Sequence, residues 1–307
     1  MSIYLDHAAT SPLQQEALTA LINQLKEVGN PSSLHTFGRD TRKALEEARE
    51  KIAKFVSAAP SEIIFTSSGT ESNNLAIKGL FWKSNRKVIV VSAIEHHAVL
   101  DPAKWLAEKE GAEVIEIPVS NEGVIDLDFL NNLVANRGAE IALISVMHSN
   151  NETGALQPIS EVIKIAGEIP VHCDAVQSLG KVPLEFAGLT AMTINAHKLG
   201  GPIGIGALVL KRGIDIPALL HGGGQEREIR SGTLNAPLAA AFAAVLDNYP
   251  SSKINDLKSR LISGINSGIK DCIINTISNS LPGIVNVTIP GAKGETLLLL
   301  LDLEGIA

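Results

Sequence analysis

The 307-residue chain contains few cysteines and few aromatic residues, and it has no long uncharged apolar run. Its two cysteines, Cys173 and Cys272, form no closely spaced metal pair and cannot build a disulfide framework. No segment is long and apolar enough for a membrane span, and the N-terminus lacks a basic region followed by an apolar stretch. We therefore expect a cytoplasmic protein that contacts no membrane and binds no metal.

The charge of the chain also excludes some partners. The formal net charge is -7, and no block of like charges is present, so nothing indicates a nucleic-acid footprint. Hydrophobic residues make up 45% of the chain and charged residues 19%, which is typical of a folded protein with a sizeable core. The charge and composition together favour a protein that acts on small molecules over one that binds nucleic acid.

Strand and helix patterns alternate between residues 62 and 211. This alternation predicts an α/β fold with a mainly parallel, helix-covered sheet. Before it, Ser11, Pro12 and Gln14 predict an N-cap, a first helical proline and a capping-box partner for a helix that runs to about Val28. A Pro-Ser-Ser segment at 250–252 indicates a domain boundary.

Lys198 is the first candidate site residue, because it follows an apolar run and enters a turn with Gly200, Gly201 and Pro202. In α/β folds, ligands bind at the carboxyl ends of the strands. Lysine condenses with aldehydes, and partial burial favours its neutral, reactive amine. A surface lysine in a loop is the alternative, and this motif alone does not decide between the two.

Asp174 is the second candidate, at the end of an apolar strand that begins near Val171. An acid at this position can pair with a protonated pyridine nitrogen and so make the ring an electron sink. It can equally cap the segment that follows. Gln177, three residues later, either hydrogen-bonds a ring hydroxyl or faces solvent.

Residues 64–74 combine a strand, a small polar turn and the start of a helix. This arrangement presents backbone N–H groups and hydroxyls to an anion, for which a phosphate is the obvious candidate. Ser68 and Glu71 also form a capping-box pattern, and the two interpretations are compatible.

His96 and His97 follow another apolar strand that ends at Ile94. An imidazole there can act as a general acid or base, or stack on a planar cofactor. Two partly exposed loop histidines are the alternative. The surrounding spacing of carboxylates and cysteines does not indicate a metal site.

With these motifs together, the sequence resembles the cysteine desulfurases, a NifS/IscS-like group of class V aminotransferases with the fold-type I architecture of pyridoxal-phosphate (PLP) enzymes. The resemblance runs nearly from end to end. It includes an opening segment in which His7 replaces the usual Asn, and four further segments: 29–35, 150–154, 221–226 and 230–233. It implies a large PLP-binding domain at 13–245 and a smaller α+β domain formed by 1–12 and 246–307, incomplete at its C-terminal end.

The resemblance also implies roles for residues around the cofactor ring. Lys198 would bond to the cofactor aldehyde and act as the catalytic base, and His96 would stack on the ring. Asp174 would bind the pyridine nitrogen and Gln177 the ring hydroxyl. Asn151 would lie beside that hydroxyl and the substrate.

A second group would hold the cofactor phosphate. By resemblance, Gly69, Thr70 and His197 would contact it directly. Asn195 stands where the family usually has Ser, although its amide can still donate a hydrogen bond. Thr233 would reach the phosphate across a dimer interface, so the resemblance implies a homodimer.

The resemblance implies conversion of L-cysteine to L-alanine, with sulfur passing to an enzyme cysteine for iron–sulfur cluster or thio-cofactor assembly. The family places that cysteine shortly after a segment similar to residues 301–307, so we expect this sequence to lack it and to be impaired. Neither Cys173 nor Cys272 is expected to replace it. Partners would be a scaffold or sulfur-acceptor protein.

Two alternatives stay open at this point. One is another class V lyase or aminotransferase that needs no cysteine. The other is a non-catalytic protein of the same fold, retained for dimer or scaffold contacts.

Overall fold

The computed structural model describes residues 3–307, which are organised around one seven-stranded sheet. The nine strands of these residues are β1 (Ile63–Thr66), β2 (Val88–Ser92), β3 (Glu113–Ile117), β4 (Ile141–Ser145), β5 (Val171–Asp174), β6 (Ala191–Asn195), β7 (Gly206–Leu210), β8 (Ile273–Ile274) and β9 (Val287–Thr288). The large sheet has the order β1-β7-β6-β5-β4-β2-β3. Within it, β7 alone runs in the direction opposite to the other six strands. The predicted α/β fold with a mainly parallel sheet is confirmed.

Helices cover both faces of this sheet. Those of the described chain are α1 (Gln15–Leu25), α2 (Thr36–Phe55), α3 (Gly69–Lys83), α4 (His97–Glu110), α5 (Leu127–Arg137), α6 (Ile159–Ala166), α7 (Ala236–Ala244), α8 (Ser251–Gly268) and α9 (Gly294–Leu303). Alternate residues of a strand point to opposite faces. Accordingly, Val88 and Val90 of β2 pack in one core, which includes residues of α2, α5, α6 and α7, whereas Ile89 and Val91 pack with α3 and α4.

The start of α1 differs from the prediction. The helix begins at Gln15 and ends at Leu25, and Gln14 rather than Ser11 occupies the N-cap position. The side chains of Ser11 and Gln14 bond elsewhere, because Ser11 Oγ donates to the carbonyl of Lys198 and Gln14 Nε2 donates to the carbonyl of Leu199. The predicted capping residues therefore hold the lysine turn.

Residues 251–307 form α8, the β8–β9 pair and α9, and none of the residues in these two helices is buried. Near the ends of the described chain, Ile3 forms a parallel bridge with Ile306. The division into domains at 13–245 and at 1–12 with 246–307 stays a prediction. Within residues 3–307, no helix combines the length and the apolar character needed to cross a membrane.

Candidate active site

A cavity of about 220 Å³ lies where the large-sheet strands β1, β2, β4, β5 and β6 end. The structure brings nine of the ten predicted site residues to its lining: Gly69, Thr70, His96, Asn151, Asp174, Gln177, Asn195, His197 and Lys198. The parallel strands deliver these residues to one edge, as the alternating pattern predicts. The cavity is therefore a single candidate site.

Lys198 lies in a short 3₁₀ turn directly after β6, with its side chain half-buried. Gly200 ends the turn with a φ of +83°, a left-handed conformation that glycine adopts without strain. Burial lowers the pKa of the Lys198 amine, while the charges of Asp174 and Asp6 oppose that shift. A lowered pKa increases the share of neutral amine, the form that attacks an aldehyde or accepts a proton.

Asp174 is buried at the end of β5, and two neutral donors hold its carboxylate. Asn73 Nδ2 donates to Oδ2 at 2.6 Å, and the backbone N–H of Val176 donates to Oδ1 at 3.0 Å. Burial raises the pKa of Asp174 despite these bonds and the positive charges of His96 and Lys198. The carboxylate thus caps the next turn, as one interpretation of the sequence held, and also faces the cavity.

Gln177 is buried rather than solvent-facing, which corrects one of the two interpretations of the sequence. Its Nε2 donates to the carbonyl of Ala8 at 2.9 Å, and its Oε1 accepts from Lys181 Nζ at 3.4 Å. These bonds fix the amide beside Asp174 and Lys198 in the cavity lining.

The opposite part of the cavity contains the first residues of α3. Ser68 accepts from the backbone N–H of Glu71, which forms half of the predicted capping box. Glu71 does not complete it, because its carboxylate instead accepts from Ser67 and pairs with Arg230 at 2.8 Å. A Cβ at Gly69 would lie 2.8 Å from Val176 Cγ2, so this helix start needs glycine to pack against the loop after β5.

Two buried acceptors in the cavity lining have no partner among the described residues. They are Oδ1 of Asn73 and Oδ1 of Asn195. A buried polar atom without a hydrogen bond costs about 1–3 kcal/mol, and such atoms are rare in folded proteins. The site is therefore suited to a ligand that carries hydrogen-bond donors.

Three predicted or neighbouring histidines, His96, His97 and His197, differ in their positions and contacts. His96 is exposed at the N-cap of α4, where its Nδ1 accepts from the backbone N–H of Ala98 at 3.0 Å. His97 lies outside the lining of this cavity and contacts Asp101 at 3.2 Å. His197 Nδ1 lies 3.2 Å from Thr10 Oγ1, and burial, with the charges of Lys198 and Lys181, lowers its pKa.

Thr233 and the two cysteines are absent from the cavity lining. Thr233 is exposed in the loop before α7. Cys173 is buried in β5, and burial raises the pKa of its thiol well above the usual range. Cys272 lies beside the end of α8, where its Sγ contacts Asn266 Oδ1 at 3.5 Å.

The sequence reasoning assigned no role to two buried polar residues near Asp174. Asn73 lies one helical turn after Gly69 and Thr70, so helical spacing was a signal that could have found it. Glu95 accepts from the backbone N–H of Met147 through one oxygen, and its other oxygen has no partner among the described residues. Burial, and then the charge of Asp174, raises the pKa of Glu95 well above its usual range.

Comparisons with known proteins show the family of this chain. The Aminotransferase class-V family matches residues 3–307. An IscS-like cysteine desulfurase from Mycobacterium tuberculosis is 43% identical over 320 aligned positions, which cover 99% of this chain and 81% of that protein.

Solved structures are similar over the whole chain. A NifS-like protein has a TM-score of 0.93 at 37% identity and covers 100% of this chain and 87% of its own. SspA in complex with cysteine has a TM-score of 0.89 at 31% identity, over 100% of this chain and 88% of its own. The chain belongs to the class V aminotransferase family, within its PLP-dependent cysteine desulfurases.

Proposed function

We propose that this chain removes sulfur from L-cysteine at the cavity that contains Lys198, with alanine as the other product. The observation that supports this most directly is the convergence of a half-buried lysine, a buried carboxylate and a helix N-terminus on that one cavity. The complex of the similar protein SspA with cysteine supports the choice of substrate.

The residues present fit PLP. Lys198 would bond to its aldehyde, and Asp174 would accept from a protonated ring nitrogen. The absence of a side chain at Gly69 leaves the start of α3 accessible to a phosphate. Asn195 Nδ2 lies 3.4 Å from the position that a Cβ at Gly69 would take, so a hydrogen-bond donor stands beside this helix start. When bound, PLP supplies a ring that withdraws electrons from the substrate.

The ring side of the cavity would use four groups of this chain. The carboxylate of Asp174 would keep the ring nitrogen protonated, and Gln177 would hydrogen-bond the ring hydroxyl. His96, exposed at the cavity rim, would cover the flat face of the ring. The neutral amine of Lys198 would take the proton from the substrate Cα, which its lowered pKa favours.

The phosphate side would use the start of α3 and the turn before Lys198. Gly69 and Thr70 present the first N–H groups of a 15-residue helix, where an anion is stabilised. His197 and the amide of Asn195 would donate from the other side. Asn151, at the partly exposed part of the lining, would contact the substrate.

Neither cysteine is assigned as the sulfur acceptor. Cys173 is completely buried, and its raised pKa keeps it as a thiol, whereas attack on sulfur requires an accessible thiolate. Cys272 is absent from the cavity lining. Neither Cys173 nor Cys272 is therefore expected to form a persulfide, and we expect residues 1–307 to need an added thiol for sulfide release.

In a homodimer, Thr233 of one copy would reach the phosphate of the cofactor bound to the other copy. Four apolar side chains in or beside the 29–35 segment are exposed, and they are Leu25, Val28, Leu34 and Phe37. Pro31 and Ser32 line the same open cavity as Gly223 and Gly224, so two of the family segments meet at this surface. A surface of this kind supports contact with a second copy.

Delivery of sulfur to a scaffold or acceptor protein for iron–sulfur cluster or thio-cofactor assembly remains part of the proposal.

The test is Lys198→Ala, compared with Lys211→Ala. Lys211 is exposed and follows the antiparallel strand β7, at the opposite edge of the sheet. We expect the visible absorption of bound cofactor and the formation of alanine and sulfide, with added thiol, to disappear only in Lys198→Ala. Unchanged absorption in Lys198→Ala would reject the assignment of the lysine.

Product analysis separates the remaining alternatives. A desulfurase forms alanine and sulfide in equal amounts from cysteine. Transfer of the amino group to a keto acid, or elimination without alanine, would instead indicate another class V enzyme. Cofactor binding without any product would indicate a non-catalytic protein.

A further inference from the structure

Lys181 is a second lysine close to the cavity, and it is more deeply buried than Lys198. Only 8% of its surface is exposed. It lies in the turn after β5, four residues beyond Gln177. Lys181 belongs to none of the ion pairs in residues 3–307. No carboxylate of these residues therefore lies within 4.0 Å of the Lys181 ammonium group.

The backbone fixes Lys181 on both sides. Its N–H donates to the carbonyl of Ser178 at 3.0 Å, and its carbonyl accepts from Ser251 Oγ at 2.9 Å. The one side-chain bond of Lys181 within the described chain runs from Nζ to Gln177 Oε1 at 3.4 Å. The side chain of Lys181 therefore contacts the cavity lining at Gln177.

Lys198 has the charges of Asp174 and Asp6 nearby, whereas Lys181 has no carboxylate within 4.0 Å among the described residues. Burial lowers the pKa of Lys181 to about 8, with a further contribution from the charge of Lys198. The charges of Lys198 and Lys181 also lower the pKa of His197. Burying a cation without a partner is costly, so these groups favour an anionic ligand.

The bond to Lys181 also determines how Gln177 can be used. An amide has one oxygen acceptor and two N–H donors. Because Lys181 can only donate, it occupies Oε1 of Gln177, and Ala8 takes one N–H of the same amide. The second N–H has no acceptor among the described residues, so a bound group could take it.

We propose that Lys181 is a positioning residue that acts through Gln177 to favour an anionic ring oxygen on the bound cofactor. This inference rests on the proposed function, which places PLP in this cavity with its ring oxygen near Gln177. Lys181 would orient the Gln177 amide as a donor and place a positive charge behind it. A deprotonated ring oxygen is the cofactor group that both effects would stabilise.

The test measures affinity rather than turnover. The cofactor-stripped full chain is dialysed to equilibrium against PLP and against its 3-O-methyl derivative, in which the ring oxygen cannot become an anion. For Lys181→Met we expect about tenfold weaker PLP binding, because the variant loses both the positive charge behind Gln177 and the bond that orients its amide. Binding of the methylated compound should change little.

Two variants control this experiment. Lys258→Met removes another partly buried lysine, which bonds to Ser280 Oγ and the Leu281 carbonyl, and it should leave both affinities unchanged. Lys181→Arg keeps the charge and should bind PLP more tightly than Lys181→Met. If Lys181→Met does not fold, Lys181→Gln replaces it and carries the same expectation.

The outcomes are separable. Weaker binding of PLP alone supports the inference, whereas equal weakening of both compounds, or no change in either, overturns it. Failure of the proposed function appears elsewhere, as unchanged visible absorption in Lys198→Ala. The inference about Lys181 can thus fail while the assignment of Lys198 stands.

Discussion

The sheet region, residues 3–250, and the C-terminal region, residues 251–307, differ in how deeply their helices are buried. In α3, nine of 15 residues are buried, whereas none is buried in α8 or α9. The residues that line the candidate site fall between Ala9 and Lys198, so none comes from residues 251–307. The candidate site thus lies entirely in the region whose helices are more deeply buried, and we expect substitutions there to cost more stability than substitutions in α8 or α9.

The largest effect on stability is expected at the buried ion pair between Arg49 and Glu226. Its shortest contact is 2.6 Å, and Glu226 also accepts from the backbone N–H of Phe65 in β1. Arg49→Met would leave a buried carboxylate without its cation, which costs about 4 kcal/mol. The free energy of unfolding in urea measures this.

The matched variant is Arg137→Met, which breaks an exposed network with Glu113 and Glu140. Exposed pairs contribute little, so its unfolding curve should stay close to that of the wild type. Equal destabilisation by the two variants would contradict the importance of burial.

Removing a leucine from each region compares their packing directly. Leu75 in α3 is 1% exposed, whereas Leu299 in α9 is 65% exposed. We expect Leu75→Ala to lower the free energy of unfolding by about 3 kcal/mol, because it leaves a cavity in a packed core. Leu299→Ala should change it by less than about 0.5 kcal/mol. A comparable loss in both would show that the face of α9 is covered in solution.

Acid should affect the sheet region through His172. Burial lowers its pKa to about 3, and its ring nitrogens bond with Ser145 and Thr193. In the unfolded chain its pKa is about 6.5, so unfolding takes up a proton below that pH and stability falls as the pH decreases toward 3. Between pH 7 and 5 this loss is about 2 kcal/mol.

His172→Gln should remove that part of the pH dependence, as measured by urea unfolding at pH 7 and 5. The raised pKa values of Glu95 and Asp174 act in the opposite direction, but these groups remain in both proteins and cancel in the comparison. Exposed His221 provides the control His221→Gln, whose pH dependence should match the wild type.

Much of the sheet and site could be predicted because strand ends meet at one edge. Asp174 and Lys198 each follow an apolar strand, and their convergence needs only a parallel sheet. The use of Ser11 and Gln14 to hold the lysine turn could not be predicted in this way. Local capping patterns compete with contacts almost 190 residues away, and the sequence does not reveal which prevails.

Lys181 escaped prediction for a related reason. It follows Gly180 in a segment that looks like an ordinary exposed turn, and only the folded chain reveals its burial. Asn73 was visible as a helix residue, but its bond to Asp174 spans 101 positions of the chain. Residues that act through another side chain have no motif of their own.

The smallest effect is expected for Asn73, which orients Asp174 without replacing its charge. Asn73→Ala removes the donor to Oδ2 but leaves the bond from Val176 to Oδ1, so the carboxylate stays in place with more freedom. A charged hydrogen bond contributes about 1.5–3 kcal/mol, part of which water entering the cavity would restore. We therefore expect about tenfold weaker PLP binding, measured by equilibrium dialysis. Asn74→Ala is the neighbouring control, since Asn74 bonds only to the Thr70 carbonyl within α3 among the described residues. If both variants bind PLP like the wild type, Asp174 does not depend on Asn73 for its orientation, and the buried packing of β5 alone positions the carboxylate.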